Sequence, residues 1–530
     1  MVGALLQSYC KTINELLPAI ALPVEIGELS ISRLVLDSRQ AVPGCGFMAI
    51  QGGYANGADY IDAAIVKGSA IVFCHTDETT VSWSLSHKVP YIFIPDLLAN
   101  VSAIANRFYD FPSKAMSIVG ITGTNGKTTC SQLIGQLLAL NKMSCAVLGT
   151  LGYGIYPPVN DVADIVNHTI SLEQTGMTTP DAITTQAILA DMARQHVGCA
   201  ALEVSSHGLM QQRVADVDIN TAIFTNLSHD HLDYHGDMTH YANAKKQLFL
   251  MASVKKAIVN IDDEFGLQLQ QELITAPLSV TTFGVHNSSA HFWLSDISYN
   301  NKGITFTLNT PVGSRLSSTV LVGEFNLSNL LAVVAVCIKD ERSLNYVAKM
   351  LPHLQPVAGR MELVKGHNNA HVIVDYAHTP DALKNALTAA RQHCSGRLIC
   401  VFGCGGDRDV QKRPVMAEVA EALADIVIVT NDNPRYEDPI TIINDIMQGF
   451  KNPDGVVSIL DRAEAIFTSV QQATPGDIIV LAGKGHEAYQ QIGNHKHPFS
   501  DKEIAARALA RKQHLQQVGT VDDSVCKDKT

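Results

Sequence analysis

Met116-Ser-Ile-Val-Gly-Ile-Thr-Gly-Thr-Asn-Gly-Lys-Thr-Thr-Cys130 reads as a buried strand that runs into a glycine-rich turn and then opens a helix whose apolar face carries Leu133, Ile134, Leu137 and Leu138. In that order, strand, loop and helix N-terminus aim backbone N–H groups and the positive end of the helix dipole at one point. Lys127 adds a mobile cation there. ATP phosphates are the natural guest, with the Thr128 hydroxyl available to Mg2+. The strict phosphate-loop motif has glycine five positions before Gly126, where this chain has Ile121; its glycines are Gly120, Gly123 and Gly126. The bland alternative is a glycine turn beside a surface lysine, and it would not call for a strand on one side and a helix on the other.

Working outward, the apolar runs Cys199 to Val204, Ala222 to Phe224 and Ala257 to Val259 are separated by longer helical stretches, the pattern of a parallel α/β sheet. The first of them ends in Leu202-Glu-Val-Ser-Ser-His-Gly208, which places Glu203 where a carboxylate is expensive without a cation and suits Mg2+ opposite the phosphates. Asn226-Leu-Ser-His-Asp-His-Leu-Asp-Tyr-His235 packs three histidines and two aspartates into one loop, which suits either a hydrogen-bonded surface or a metal site. Phe108-Tyr-Asp-Phe-Pro-Ser-Lys114 interrupts the pattern before the phosphate-loop strand, and Leu351-Pro-His-Leu-Gln-Pro356 interrupts it again. Beyond that point strand-like runs recur at Val372 to Val374, Leu398 to Phe402, Ile426 to Val429 and Ile478 to Leu481, a second doubly wound pattern. The expected organisation is therefore α/β in three domains. Residues 1–112 form an α/β front domain, 113–355 a central phosphate-loop domain on a mostly parallel sheet, and 356–530 a Rossmann-like domain. Ser500 and Glu503 predict a capping box for a last helix towards Gln517, ahead of a polar, aperiodic, mobile tail over 519–530. At the other end Leu5, Leu6, Tyr9, Cys10, Ile13, Leu16 and Leu17 repeat with helical spacing, which predicts a packed helix rather than a signal peptide.

Composition excludes several functions. A chain of 530 residues exceeds one ordinary core. Its charged share of 17% lies below the roughly 25% of average soluble domains, and its net charge of -12 comes with no Lys/Arg cluster that would form a nucleic-acid groove. The longest apolar stretch, Leu330 to Ile338, is far short of the about 20 residues a membrane span needs. Eleven cysteines form no C-x-x-C pair, and Cys394, Cys400 and Cys404 lack zinc spacing. Reduced thiols in a cytoplasm fit this usage.

Taken together, Gly-Thr-Asn-Gly-Lys-Thr-Thr (123 to 129), Glu-Val-Ser-Ser-His (203 to 207), Asn-Leu-Ser-His-Asp-His-Leu-Asp (226 to 233) and Asp-Tyr-Ala-His-Thr-Pro (375 to 380) resemble the Mur ligases, which extend the peptide of the cell-wall precursor. The resemblance runs from Leu36-Asp-Ser-Arg39 to Gly483-Lys-Gly-His-Glu487 in family order. It implies an ATP-dependent amide-forming ligase of peptidoglycan synthesis, and hence a role in cell shape and division, acting on small molecules as a cytoplasmic monomer. By the resemblance, ATP is held by Gly123, Thr124, Asn125, Gly126, Lys127, Thr128 and Thr129, with Asn326 and Asn329 on the adenine side and Arg360, Asp375 and His378 from the last domain. Leu36, Ser38 and Gly53-Tyr54-Ala55 take the UDP end of the precursor, the last as a tripeptide unlike others in the family; Thr178, Thr179, Ser205, Gln211 and Arg213 take its muramoyl-dipeptide. Helix caps and a surface arginine would explain these last residues one at a time, but less well as an ordered set. Lys245 in Tyr241-Ala-Asn-Ala-Lys245 matches a lysine that the family carbamylates with CO2, with Lys246 as the ordinary solvated neighbour; Thr128, Glu203, His231 and carbamylated Lys245 would fix Mg2+. An ammonium would be repelled by the metal, whereas a carbamate is an anionic ligand. Catalysis would rest on Lys127, Lys245, Glu203, His231 and Arg360, with the third domain closing over the nucleotide to protect an acyl phosphate from water.

Asp432-Asn-Pro-Arg435 resembles the signature of the member that adds meso-diaminopimelate to the γ-carboxylate of the D-glutamyl residue. That amino acid differs from lysine by a second carboxylate, and Arg435 offers the planar guanidinium that pairs with one. The resemblance completes the pocket with Arg408, Asp432, Asn433, Pro434, Gly483 and Glu487, although an Asn-Pro turn is the alternative for 432–435. A folylpolyglutamate synthetase would share the phosphate loop but not the front domain, a lysine-adding Mur ligase would not need Arg435, and a nucleotide switch protein would need neither substrate.

Overall fold

The computed structural model describes residues 9–52, 55–162, 165, 170–300, 303–364 and 371–525. The chain separates into two compact units, 1–282 and 283–530.

In the first unit, the front sheet runs in the order Arg33–Val35, Cys45–Ala49, Ile71–Thr76, Tyr91–Pro95, Ser82–Ser84. Its first four strands are parallel and the short Ser82–Ser84 closes the edge antiparallel. Alternation along these strands splits the core in two: Leu34, Met48, Ile71 and Phe73 bury on one face, Val35, Phe47 and Val72 on the other. The helix expected from Leu5 to Leu17 is different among the described residues. A two-residue strand, Lys11–Thr12, pairs with Ser30–Ile31, and Thr12 then caps a one-turn helix, Ile13–Leu16, through a capping box with Glu15. The periodic Ile13 and Leu16 are still fully buried; the polar Lys11-Thr12 pair, whose threonine hydroxyl competes for the backbone, is what breaks the longer helix. Leu5 and Leu6 lie outside the described residues.

The central sheet of this unit has Gly152–Tyr156, Cys145–Gly149, Cys199–Glu203, Ser117–Thr122, Ile219–Phe224, Lys256–Asn260 and Ser279–Gly284 side by side in that order. The four strands from Cys145–Gly149 to Ile219–Phe224 are parallel, and Lys256–Asn260 joins them in parallel. Ser117–Thr122 is thus central, covered on both faces, and its carboxyl end is the phosphate loop. Helix Lys127–Leu140 leaves that loop with every described residue after Lys127 buried.

The second unit begins with the antiparallel strands Phe292–Asn300, Gly303–Thr310 and Gly313–Thr319. Helices Glu324–Cys337 and Glu341–Met350 follow. Its main sheet runs Glu362–Val364, His371–Asp375, Ile478–Ala482, Leu398–Phe402, Ile426–Val429, Val457–Ser458, parallel except for the first strand. Ile373, Cys400, Phe402, Val429 and Val480 pack under helices Pro380–His393, Lys412–Leu423 and Pro439–Met447; Val372, Val374, Ile399, Val401, Ile428 and Leu481 face Arg462–Gln472 and the last helix. This is the doubly wound layer expected, and every βα loop opens at one edge of the sheet. The Ser500 hydroxyl accepts from the Glu503 N–H, as expected for a cap, but the last helix, Asp501–Val525, continues past Gln517, so the stretch expected as aperiodic is helical up to Val525.

Candidate active site

Leu36 and Ser38 follow strand Arg33–Val35, and Ala55 lies in the loop after its parallel neighbour Cys45–Ala49, so these two segments share the carboxyl edge of the front sheet. Asp37 caps the 3-10 turn Ser38–Gln40 through the Arg39 N–H, and Ser38 is buried, Leu36 half-buried and Ala55 exposed. Gly53 and Tyr54 lie outside the described residues.

The phosphate loop is held by the next strand end. A Cβ on Gly123, at φ +150, would stand 1.8 Å from the Thr225 hydroxyl, so glycine is required for the approach. The Thr225 hydroxyl donates to the Asn125 carbonyl (2.6 Å), the Thr124 N–H to the Asn226 carbonyl (2.8 Å) and the Asn125 N–H to Asn226 Oδ1 (2.9 Å). The Lys127 ammonium donates to the carbonyls of Gly123 and Thr124, both at 2.8 Å, which keeps it at the loop. Gly126 caps the helix at φ +87, and Thr128 and Thr129 are buried in its first turn.

Glu203, 2% exposed, gathers the next group. Its carboxylate accepts from the hydroxyls of Thr128 (2.9 Å) and Thr150 (3.0 Å) and from the Thr150 N–H (3.0 Å). Thr178 meets the Thr150 hydroxyl, and the Thr179 hydroxyl donates to the Glu203 carbonyl while accepting from the Ser205 N–H. Ser205 also caps helix Ser206–Met210. Arg213 donates to the Thr179 carbonyl and to Gln211 Oε1, and burial lowers its pKa. The structure thus joins Thr128, Glu203, Thr178, Thr179, Ser205, Gln211 and Arg213 into one network.

Beside it stand the rings of His207, His231, His235, Tyr234 and Tyr241, in contacts of 4.1 to 6.1 Å between centroids. Burial lowers the pKa of all three histidines; for His231, Asp230 opposes and Lys127 and Lys245 reinforce the shift. Lys245, 2% exposed, sits 4.1 Å over the Tyr241 ring, and burial first, Lys127 second, push its pKa well below the usual value against the pull of Asp230. A buried amine that sheds its proton is nucleophilic toward CO2. Lys246 is instead paired with Glu272 near the surface at 2.5 Å.

In the second unit, Asn326 and Asn329 are buried in helix Glu324–Cys337, Asn326 donating to the Val322 carbonyl and accepting from Asn329. The Arg360 guanidinium lies 4.5 Å over the Tyr376 ring, and Tyr376 also faces His486 and His378. Asp375 accepts from the Met361 and Ala377 N–H groups; burial raises its pKa against the Arg360 charge, and burial plus Arg360 push His486 down to about 4. His378 bonds the Tyr376 carbonyl, and Thr379 caps the helix that starts at Pro380, the structural share expected of this motif.

The remaining residues meet where strands Leu398–Phe402, Ile426–Val429 and Ile478–Ala482 end. Arg435, at φ +53, donates from Nη1 to the Gly406 carbonyl at 2.6 Å, and its backbone is bonded on both sides, at Gln491 and Gly493, to a hairpin formed by the antiparallel strands Tyr489–Ile492 and His495–Pro498. A Cβ on Gly406 would meet the Pro434 carbonyl oxygen at 1.9 Å, and one on Gly483 would meet Asp432 Oδ2 at 2.6 Å. Asp432 is buried 4.0 Å from the Arg462 guanidinium, which itself pairs with Asp501. Asn433 donates to Glu487 at 2.8 Å. Arg408 is exposed in the adjoining loop. A cavity of about 810 Å³ adjoins this edge, but its Arg462 and Gln490 are engaged with Asp501 and with the Asp432 carbonyl.

Three domain descriptions match the chain in succession: Mur ligase family, catalytic domain over residues 30–109, Mur ligase middle domain over 121–337, and Mur ligase, glutamate ligase domain over 359–485. The chain is 44% identical over 500 residues to the UDP-N-acetylmuramoyl-L-alanyl-D-glutamate--2,6-diaminopimelate ligase of Ectopseudomonas mendocina, covering 94% of this chain and 98% of that one. The chain belongs to the Mur ligase family. The like-named protein of Coxiella burnetii is 46% identical over 487 residues, covering 91% of this Mur ligase and 96% of its relative. A solved structure bearing the same ligase name is 35% identical, with a TM-score of 0.67 over 95% of this chain and 99% of that one. The folylpolyglutamate synthase of Mycobacterium tuberculosis complexed with ADP, at 19% identity and a TM-score of 0.57 over 73% of this chain and 91% of its own, shares the fold.

Sequence reasoning about this Mur ligase did not single out Thr150, Thr225, Asn226, Tyr241 or Lys484 as site residues. Thr150 carries no local signal, because only the pairing of Cys199–Glu203 with Cys145–Gly149 brings it to Glu203. Among the described residues no three His, Cys, Asp or Glu side chains form a ready metal cage. A cation at Thr128 and Glu203 still fits the donors: a buried carboxylate, a hydroxyl, histidines held toward the neutral form and a lysine whose charged form is disfavoured by burial.

Proposed function

We propose that this chain joins meso-diaminopimelate to the γ-carboxylate of the D-glutamyl residue of UDP-N-acetylmuramoyl-L-alanyl-D-glutamate, at the expense of ATP. The observation that carries it is the presence, in one chain whose near full-length relatives bear that ligase's name, of a phosphate loop clamped around Lys127 in the first unit and of Arg435 held at the strand ends of the second. The γ-phosphoryl group passes to the carboxylate, giving an acyl phosphate and ADP; the amine displaces phosphate, giving the amide. Loop N–H groups from Gly123 to Thr129 and the Lys127 ammonium neutralise charge that builds on the transferred group, and Arg360 adds a second cation. Asn326 and Asn329 serve the adenine side, and Asp375 and His378 bind ATP as well, Asp375 also accepting from the Met361 N–H beside Arg360.

Lys245 adds its neutral amine to CO2 and releases a proton, which leaves a carbamate. That carbamate, Thr128, Glu203 and His231 would hold Mg2+, which when bound supplies charge neutralisation at the phosphates. Leu36, Ser38 and 53–55 hold the UDP end, and Thr178, Thr179, Ser205, Gln211 and Arg213 the dipeptide. Arg435 and Arg408 take the distal carboxylate of diaminopimelate; Asp432 and Glu487, with Asn433, Pro434 and Gly483 shaping the wall, take its ammonium groups. The roles divide over 1–112, 113–355 and 356–530, in a cytoplasmic monomer without nucleic-acid or membrane partners; among the described residues no helix is long and apolar enough to cross a membrane.

The test is ADP release with ATP, Mg2+, precursor and either diaminopimelate or lysine. Turnover that needs both precursor and amino acid, and prefers diaminopimelate, is expected. ADP release without acceptor would instead fit a switch protein, and an equal rate with lysine would overturn the role of Arg435.

A further inference from the structure

The segment Gly483-Lys-Gly-His-Glu487 leaves the central strand Ile478–Ala482 at the carboxyl edge of the sheet. Its two outer glycines, at φ +117 and φ +51, turn the chain so that Lys484 points inward, where it is fully buried. Gly485 is pressed against the Gly359 turn, where a Cβ on Gly359 would stand 2.1 Å from the His486 nitrogen. Lysine is among the residues least often fully buried, so its partners need explaining.

Those partners are two of the residues assigned above to the amino acid. The Lys484 ammonium donates to Asn433 Oδ1 at 3.0 Å and to Glu487 Oε2 at 3.1 Å. Asn433 Nδ2 donates to the same Oε2 at 2.8 Å, and the Gln491 N–H donates to Asn433 Oδ1 at 2.9 Å. The triangle sets which way the Asn433 amide faces, since its oxygen receives two donors and its nitrogen meets a carboxylate. It also turns one edge of Glu487 inward, with both of these bonds on Oε2.

We infer that Lys484 is a positioning residue for the amino-acid substrate: it fixes Asn433 and Glu487 so that the second carboxylate oxygen of Glu487 meets a substrate ammonium. The inference rests on the diaminopimelate assignment. Lys484 is fully buried and acts through its bonded neighbours, so its loss changes recognition of one substrate out of three.

The experiment is steady-state kinetics of Lys484→Met with each substrate varied in turn, beside a thermal melt. KM for diaminopimelate should rise about tenfold or more, kcat should stay within about threefold, and KM for ATP and precursor should stay within about twofold. Removing one partner of a buried pair can prevent folding, so Lys484→Gln, which keeps a donor but not the charge, provides a second variant with the same expected split. In a Glu487→Gln background the Lys484 substitution should add under about threefold, because the charge that it holds toward the substrate ammonium is already removed. An unchanged KM for diaminopimelate overturns the inference; so does a uniform loss for all three substrates with a lowered melting temperature. Failure of the unmodified enzyme to use diaminopimelate would instead strike the functional assignment.

Discussion

Two lysines, each at most 2% exposed, occupy opposite kinds of surroundings. Lys245 lies over the Tyr241 ring among histidines, with Lys127 repelling its charge, and its pKa falls well below the ordinary value. Lys484 is bonded to a carboxylate and an amide oxygen. Burial alone therefore says nothing about what a lysine does. Laid over a ring beside another cation, an amine is pushed toward its neutral form; bonded to a carboxylate and an amide oxygen, a lysine becomes a fixed strut.

The largest effect that would break this contrast lies at the first lysine. Lys245→Ala should lower turnover by about 10²-fold or more, and the unmodified enzyme should lose activity in CO2-depleted buffer and regain it with bicarbonate. Full activity in either experiment would mean that Lys245 is merely a buried base. Next comes Arg435→Lys, which keeps a charge but not the planar fork. Its kcat/KM for diaminopimelate should fall by about 10²-fold with KM for ATP unchanged, measured by the same ADP release assay.

A smaller effect concerns stability. The folded chain holds Lys245 well below 10.5 while the unfolded chain does not, so between the folded value and 10.5 the unfolded state binds the extra proton and stability rises with pH. Lys245→Met removes that cost. In CO2-depleted buffer it should raise the melting temperature near about pH 7, and the gain should shrink as pH approaches 10.5. A gain independent of pH would place the effect in packing. The smallest effect belongs to Lys246, whose pairing with Glu272 is partly exposed: Lys246→Ala should change stability by under about 1 kcal/mol and leave turnover unaltered.

How much of this was legible depended on how local each feature is. The strand, turn and helix around Lys127 come from consecutive residues, so their spacing is enough to place a strand, a glycine loop and a helix N-terminus in succession before any packing is known. The Leu398–Phe402 and Ile426–Val429 strands were bounded correctly because each is a short apolar run between turns. The amino-terminal periodicity misled, because apolar residues at helical spacing can also be buried from a strand followed by a single turn of helix. Thr150 carried no warning as a site residue, since Glu203 is 53 positions away, and Lys484 gave none because, although Glu487 is three positions on, Asn433 is 51 positions away.

By itself the sequence determined the α/β alternation, the anion-binding turn and the chemical types available at each strand end. These follow from periodicity, backbone sterics and charge, which act over a few residues. Only the tertiary structure decided which of those groups share a space: that Asn226 clamps the loop, that Thr128 meets Glu203, and that one buried lysine is left to an aromatic ring while another finds a carboxylate. Electrostatic state depends on burial and on neighbours brought by strand order, and neither is a property of any short stretch of chain.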